Sequence, residues 1–172
     1  MHKSSQKYSI LIRYSIIIIL SLFYKLFLII LSPLTLYLSF ILISIFYPAS
    51  ISGSIILFNS HEISLIDPCI SVLAYLLLVV FNLSVPMKPI LRLKSLAFSL
   101  GIFWVFNVLR IVSLSLIFNY SPFLFNATHL FFWYFANILA VAIIWLLTVK
   151  IFGINSTPFY SDIKFLKKHS KR

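Results

Sequence analysis

Long apolar blocks alternate with short polar interruptions along this chain, and the block lengths predict its elements. The first block runs from about Tyr8 to Leu31, interrupted by Lys25 and closed by Pro33. A second, from about Leu34 to Pro48, falls short of the ~20 residues that a hydrocarbon core requires. Next comes a stretch without helical character, 49–67. Gly53, the β-branched pair Ile55-Ile56 and Asn59-Ser60 there predict a small hairpin. The third block spans about Pro68 to Val85 and ends at a turn marked by Pro86 and Pro89. The fourth runs from about Ile90 to Phe118 and the fifth from about Thr128 to Val149. No internal repeat is present. The first block is long enough for the apolar region of a signal peptide but lacks the small-residue cleavage site. The expected fold is an all-α polytopic membrane protein, with about five transmembrane helices and a small extracytoplasmic loop or hairpin at 49–67. Residues 1–152 would form one membrane-embedded domain and 153–172 a basic cytoplasmic tail.

Composition agrees with the block pattern. Of 172 residues 62% are apolar and 10% charged, where a soluble domain carries about 45–50% and about 25%. Fourteen Lys and Arg against three acidic residues give a net charge of +11. The basic residues gather near the N-terminus (Lys3, Lys7, Arg13), in one turn (Lys88, Arg92, Lys94) and in the tail, without a face of interleaved aromatics. Clusters flanking apolar spans are what the positive-inside rule produces, so membrane topology explains the charge and nucleic acid does not. The three acids, Glu62, Asp67 and Asp162, do not suit a carboxylate dyad or a hard-metal cage. A single cysteine, Cys69, excludes internal disulfides, and no His or Cys pair has ligand spacing; no metal or cofactor is expected.

The basic turn at 88–94 and the tail should face the cytoplasm, which puts 49–67 and the connection 119–128 outside. The basic N-terminus also asks to be inside, and two full spans before residue 49 would contradict the rest. Either the second block does not cross, or the N-terminus lies outside. A first span over about Ser9 to Tyr24 running inward would bring Lys25 to the cytoplasmic surface, where it can snorkel, and this gives the five-span arrangement.

Ionisable residues inside spans are expensive and tend to be functional. Arg110 lies 18 residues after Arg92, about 27 Å at the rise of an α-helix. Cys69 lies 19 residues before Lys88, about 28 Å, and His129 lies 21 before Lys150, about 31 Å. Counting residues thus puts a thiol, a guanidinium and an imidazole in one layer near the outer edge of the core. Asp67-Pro68-Cys69 reads as an N-cap, a proline at the first helical position and a thiol at the second, a setting that favours a reactive cysteine. Asn107 and Arg110 are three apart and share a helix face. Each residue also has a plain reading: Cys69 as a packing residue, Arg110 as a snorkelling cation, and His129 as an interfacial ring beside Phe131, Phe132, Trp133 and Tyr134. His61 is a weaker candidate in the outer loop.

Taken together, these residues resemble the exosortase/archaeosortase family. The likeness rests on Cys69 at the outer start of a helix, the run Asn107-Val108-Leu109-Arg110-Ile111 on the next, and His129 at the start of the last. The short length and the wording Ala127-Thr128-His129-Leu130-Phe131-Phe132-Trp133-Tyr134 are most similar to the small pacearchaeosortase group, and the likeness covers roughly 33–152. Where the family often has Ser/Thr-Gly after its cysteine, this chain has Ile70-Ser71-Val72. The resemblance implies a membrane cysteine transpeptidase or protease with its site on the extracytoplasmic side. Its partners would be the C-terminal sorting-signal tails of secreted surface proteins, each a short motif, a transmembrane helix and a basic cluster. It implies Cys69 as nucleophile, His129 as general base, Arg110 as electrostatic stabiliser and Asn107 as support, with water, an amine or a membrane lipid as acceptor. The other readings are a non-catalytic membrane assembly or anchoring protein and, behind it, a transporter subunit, disfavoured because no span carries an acidic residue.

Overall fold

The computed structural model describes residues 3–59, 61–65, 67–154 and 158; nearly all of the basic tail, and with it Asp162, lies outside the described residues. In chain order the elements are α1 (Lys3–Leu22), α2 (Tyr24–Ser44), β1 (Ala49–Ser52), β2 (Ile55–Phe58), β3 (His61–Ser64), α3 (Asp67–Ile70), α4 (Val72–Leu83), α5 (Pro89–Tyr120), α6 (Pro122–Phe131), a π-helical turn (Phe132–Ala136) and α7 (Asn137–Ile151). Among the described residues three helices are long and apolar enough to cross a membrane: Tyr24–Ser44, Pro89–Tyr120 and the continuous rod Pro122–Ile151.

Two boundaries differ from the sequence reading. Pro33 does not end a helix; it sits inside α2, as proline does in membrane helices where neighbouring groups re-satisfy the backbone. The interruption falls at Phe23 instead. It is a single residue, spanned by the bonds Phe23 N–H to Ile19 O at 3.0 Å and Leu26 N–H to Phe23 O at 2.9 Å. Phe23 keeps a nearly helical backbone (φ −98°, ψ 29°), and the two helices meet α3 and α4 in order, Arg13 at Leu83 and then Phe27, Leu28 and Leu31 at Ile70, Val72 and Leu76. The chain therefore continues from α1 into α2 in one general direction. α1 packs on α4, with Arg13 Nη1 donating to Leu83 O (3.4 Å), and α2 packs farther along on α3, α5 and the sheet.

The second boundary lies between α5 and α6. The expected loop at 119–128 is absent, because Ser121 alone separates the two helices. Its hydroxyl accepts from Leu124 N–H and Pro122 follows at the first helical position, an N-cap and N1 proline pair that starts a helix at once.

At 49–67 the predicted hairpin is part of a three-stranded antiparallel sheet of order β1-β2-β3. Ile51 faces Ile56 across the first pair and Ile56 faces Ile63 across the second. Gly53 (φ 62°) and Asn59 (φ 45°) supply the left-handed residues of its two turns. The sheet is seated on the bundle: Ile56 and Phe58 pack with Leu36 and Ile43 of α2 and Val108 and Val112 of α5, and Asn59 donates to Asn119 at 2.6 Å. The main core joins α4, α5 and α7 through Tyr75, Leu78, Phe103, Val141, Ile144 and Trp145.

Candidate functional site

The site is built around a break. The third apolar block is not one helix; α3 is a single turn and Ser71 (φ 57°, ψ 39°) takes the left-handed conformation before α4 begins. Such a break strips carbonyls of their helical N–H partners, which is costly away from water. Asn107 answers it. Wholly buried, it donates through Nδ2 to Cys69 O (3.1 Å) and Ile70 O (3.3 Å). One turn on, Arg110 donates from Nη2 to the same Cys69 carbonyl at 3.1 Å.

The other arm of the guanidinium reaches two further groups. Nη1 donates to Ser71 Oγ (3.1 Å) and to Asn137 Oδ1 (2.8 Å), and Asn137 Nδ2 donates in turn to Ser71 Oγ (3.4 Å). Arg110 is only 6% exposed, and all its acceptors are neutral. The half-buried Cys69 thiol is near enough for charge on its sulfur to act on the guanidinium. Because the helix that Cys69 opens is a single turn, it carries little of the macrodipole that a full span would supply. The electrostatic partner at hand is Arg110.

His129 stands apart from this group. Its ring stacks on Phe125 (5.4 Å between centroids, 16° between planes) and tilts against Trp133 (5.8 Å), with no hydrogen bond to Cys69, Asn107 or Arg110. Counting residues placed it at the depth of Arg110; the structure gives that place to Asn137. Side chains on a helix lean toward its N-terminus. On the antiparallel α5 and α7, Arg110 and Asn137 therefore lean toward one another, closing a gap that a count of α-carbons leaves open.

The π turn matters for His129. Asn137 N–H bonds to Phe132 O, five residues back, so the rod holds one extra residue. Over the eight residues from His129 to Asn137 an unbroken α-helix turns to roughly 80° from its starting face, whereas one inserted residue reduces that to roughly 20°. His129 thus stands on the Asn137 face, about 10 Å farther along the rod.

No family model, no curated protein and no solved structure matches the chain. The site is accordingly read from its own chemistry. Beside it, a cavity of about 620 Å³ opens between α2, α4 and α7, walled by Leu28, Leu73, Leu77 and Ile138 and reaching Ser71 and Asn137. His61 lies on the sheet, edge-on to Phe118 at 5.0 Å, away from the Arg110 group. Among the described residues no group of three His, Cys, Asp or Glu could hold a metal ion.

Sequence reasoning missed Ser71 and Asn137. A serine gives no warning of a left-handed backbone. Asn137, by contrast, was visible as an amide inside an apolar run, but it lacked the neighbouring cation that drew attention to Asn107.

Proposed function

We propose that this chain is a membrane cysteine transpeptidase or peptidase of the exosortase/archaeosortase type, acting on C-terminal sorting-signal tails of surface proteins. One observation carries the reading: a buried guanidinium with only neutral acceptors, beside the sole cysteine. A buried cation without a counter-charge is unfavourable, and it is eased by any negative charge that forms next to it. A Cys69 thiolate, or the oxyanion formed when that thiolate attacks a peptide carbonyl, is such a charge. Ser71 adds support. It adopts the conformation that glycine takes freely, two residues after the cysteine, where the family often has a glycine.

In this reading His129 takes the proton of the Cys69 thiol, the sulfur attacks the carbonyl carbon of the scissile peptide, and the carbonyl oxygen takes the negative charge beside Arg110. Collapse expels the amine, which takes a proton from His129, and leaves an acyl thioester. Water, an amine or a lipid head group then attacks the thioester with His129 as base and restores the thiol. Asn107, Ser71 and Asn137 hold Arg110 in place. His129 leaves its Phe125 stack to reach the thiol in the substrate complex. One helical turn, 5.4 Å long and 10–12 Å across, fills roughly 400–600 Å³, so the cavity suits a short peptide segment or an alkyl group and not a whole helix.

The topology belongs to the same proposal. With Lys88 and Lys94 inside, four passages (α1–α2, α3–α4, α5 and α6–α7) put the N-terminus inside as its basic residues require. The sheet and Cys69 then lie on the extracytoplasmic side, and the conflict of the five-span arrangement disappears.

A second reading has its own observation. Arg110 is bonded to the carbonyl of Cys69 and not to its sulfur, as in a clamp that merely closes the break in a non-catalytic anchoring protein. Co-expression with a protein bearing the tripartite tail decides between them. Tail removal that is lost in Cys69→Ala supports the peptidase; tail removal that persists in Cys69→Ala ends it.

A further inference from the structure

Three buried atoms around Arg110 make no hydrogen bond: Arg110 Nε, Asn107 Oδ1 and the hydroxyl of Tyr75. An unpartnered polar atom kept from water is expensive, and three at one place call for an account. Their chemistries are complementary. The Nε–H group only donates, the amide oxygen only accepts, and a phenol does both.

Tyr75 is also held where it can serve both. It follows Ser71 by one turn on α4, and Ser71 already accepts from Arg110. Its ring meets Phe103 edge-on, with centroids 4.8 Å apart and planes at 89°. Phe103 precedes Asn107 by one turn on α5, so the two helices present these groups on adjoining turns. Tyr75 is 1% exposed, whereas Tyr8, Tyr24, Tyr37, Tyr120 and Tyr134 sit at the surface. A phenylalanine would fill the same space without the hydroxyl, and this chain uses phenylalanine freely elsewhere. Tyr75 and Arg110 are, moreover, within electrostatic reach of one another.

We propose that Tyr75 is a positioning residue for Arg110, its hydroxyl accepting from Arg110 Nε–H and donating to Asn107 Oδ1. The phenol thereby fixes the plane of the guanidinium whose other nitrogens hold Cys69 O, Ser71 and Asn137. The proposal rests on these three unpartnered atoms and not on the peptidase reading; its bearing on processing does rest on that reading.

The test is Tyr75→Phe in the full-length protein, purified in detergent and followed by thermal unfolding. If the hydroxyl completes the network, the variant melts about 2–4 °C lower. If the hydroxyl has no partner in solution, its removal deletes an unsatisfied group and the variant melts at the same temperature or higher, which overturns the proposal. A double-mutant cycle with Arg110→Lys adds a readout that ordinary packing would not move. The Tyr75→Phe shift should shrink by at least half when Arg110 is already changed, and strict additivity overturns the link between the two residues. In a processing assay Tyr75→Phe should slow turnover about tenfold at saturating substrate with half-saturation unchanged. If the wild-type protein processes nothing, the peptidase reading fails, while the unfolding cycle still decides on Tyr75.

Discussion

Arg110 holds Cys69 by its main chain: Nη2 lies 3.1 Å from the carbonyl oxygen of the residue whose side chain is the candidate nucleophile. The bond separates what Cys69 does for the fold from what its sulfur does for chemistry. Any residue at position 69 offers the carbonyl, but only cysteine offers the thiol.

That separation gives the first prediction. Cys69→Ala keeps the carbonyl and should melt within about 1–2 °C of the wild type, since it removes only a half-buried sulfur. Processing should vanish. Cys69→Ser should retain little activity, because a hydroxyl is a much weaker nucleophile at its free pKa. A large loss of melting temperature in Cys69→Ala would mean that the sulfur, and not the carbonyl, holds the structure.

Arg110→Lys tests the geometry of the guanidinium. Three acceptors on two nitrogens require a planar fork, and an ammonium on a flexible stem cannot serve them together. Processing should fall by at least ~10²-fold, the size of effect seen when one oxyanion donor is removed. The exposed Lys94, changed to Arg, is the control and should be nearly silent. Equal tolerance of both changes would reduce Arg110 to an interfacial anchor.

At Ser71 two substitutions separate backbone strain from the hydroxyl. Ser71→Ala and Ser71→Gly both lose the oxygen that accepts from Arg110 and Asn137. Only glycine also relieves the left-handed backbone, worth about 1 kcal/mol. The glycine variant should therefore melt about 2–4 °C above the alanine variant. An alanine variant as stable as the glycine one would argue against a left-handed residue at 71.

Topology is checked with impermeant reagents on intact cells. In a Cys69→Ala background, a cysteine at the exposed Ser52 should label and one at the exposed Lys94 should not. An N-terminal tag should resist external protease if, as proposed, four passages return both ends of the bundle to the cytoplasm. Cleavage of that tag would restore the five-span arrangement.

Much of this was legible from residue types and counting. The apolar blocks predicted a helical membrane protein, and three helices are indeed long and apolar enough to span. Counting along two helices brought Cys69 and Arg110 to one level, where the carbonyl of the first meets the guanidinium of the second. The failures have physical causes. Pro33 was taken as a stop because proline lacks the N–H of a helical bond and its ring clashes with the carbonyl four residues back, a loss that neighbouring groups make up in membrane helices. Ser121-Pro122 carries the same start signal as Asp67-Pro68, yet it was hidden inside a connection assumed to be a loop. His129 was misplaced in depth because counting treats a side chain as sitting level with its α-carbon. Asn137 entered the site by leaning, and no count of residues shows a lean.

The extra residue in the last rod leaves a mark that can be searched for. His129 and Asn137 are eight positions apart here because one residue is consumed by the turn at Phe132–Ala136. A chain that builds the same face on an unbroken α-helix would space its histidine and asparagine seven apart. Sequences aligned on the asparagine would then need a one-residue gap in the middle of an apolar helix, where gaps are normally forbidden.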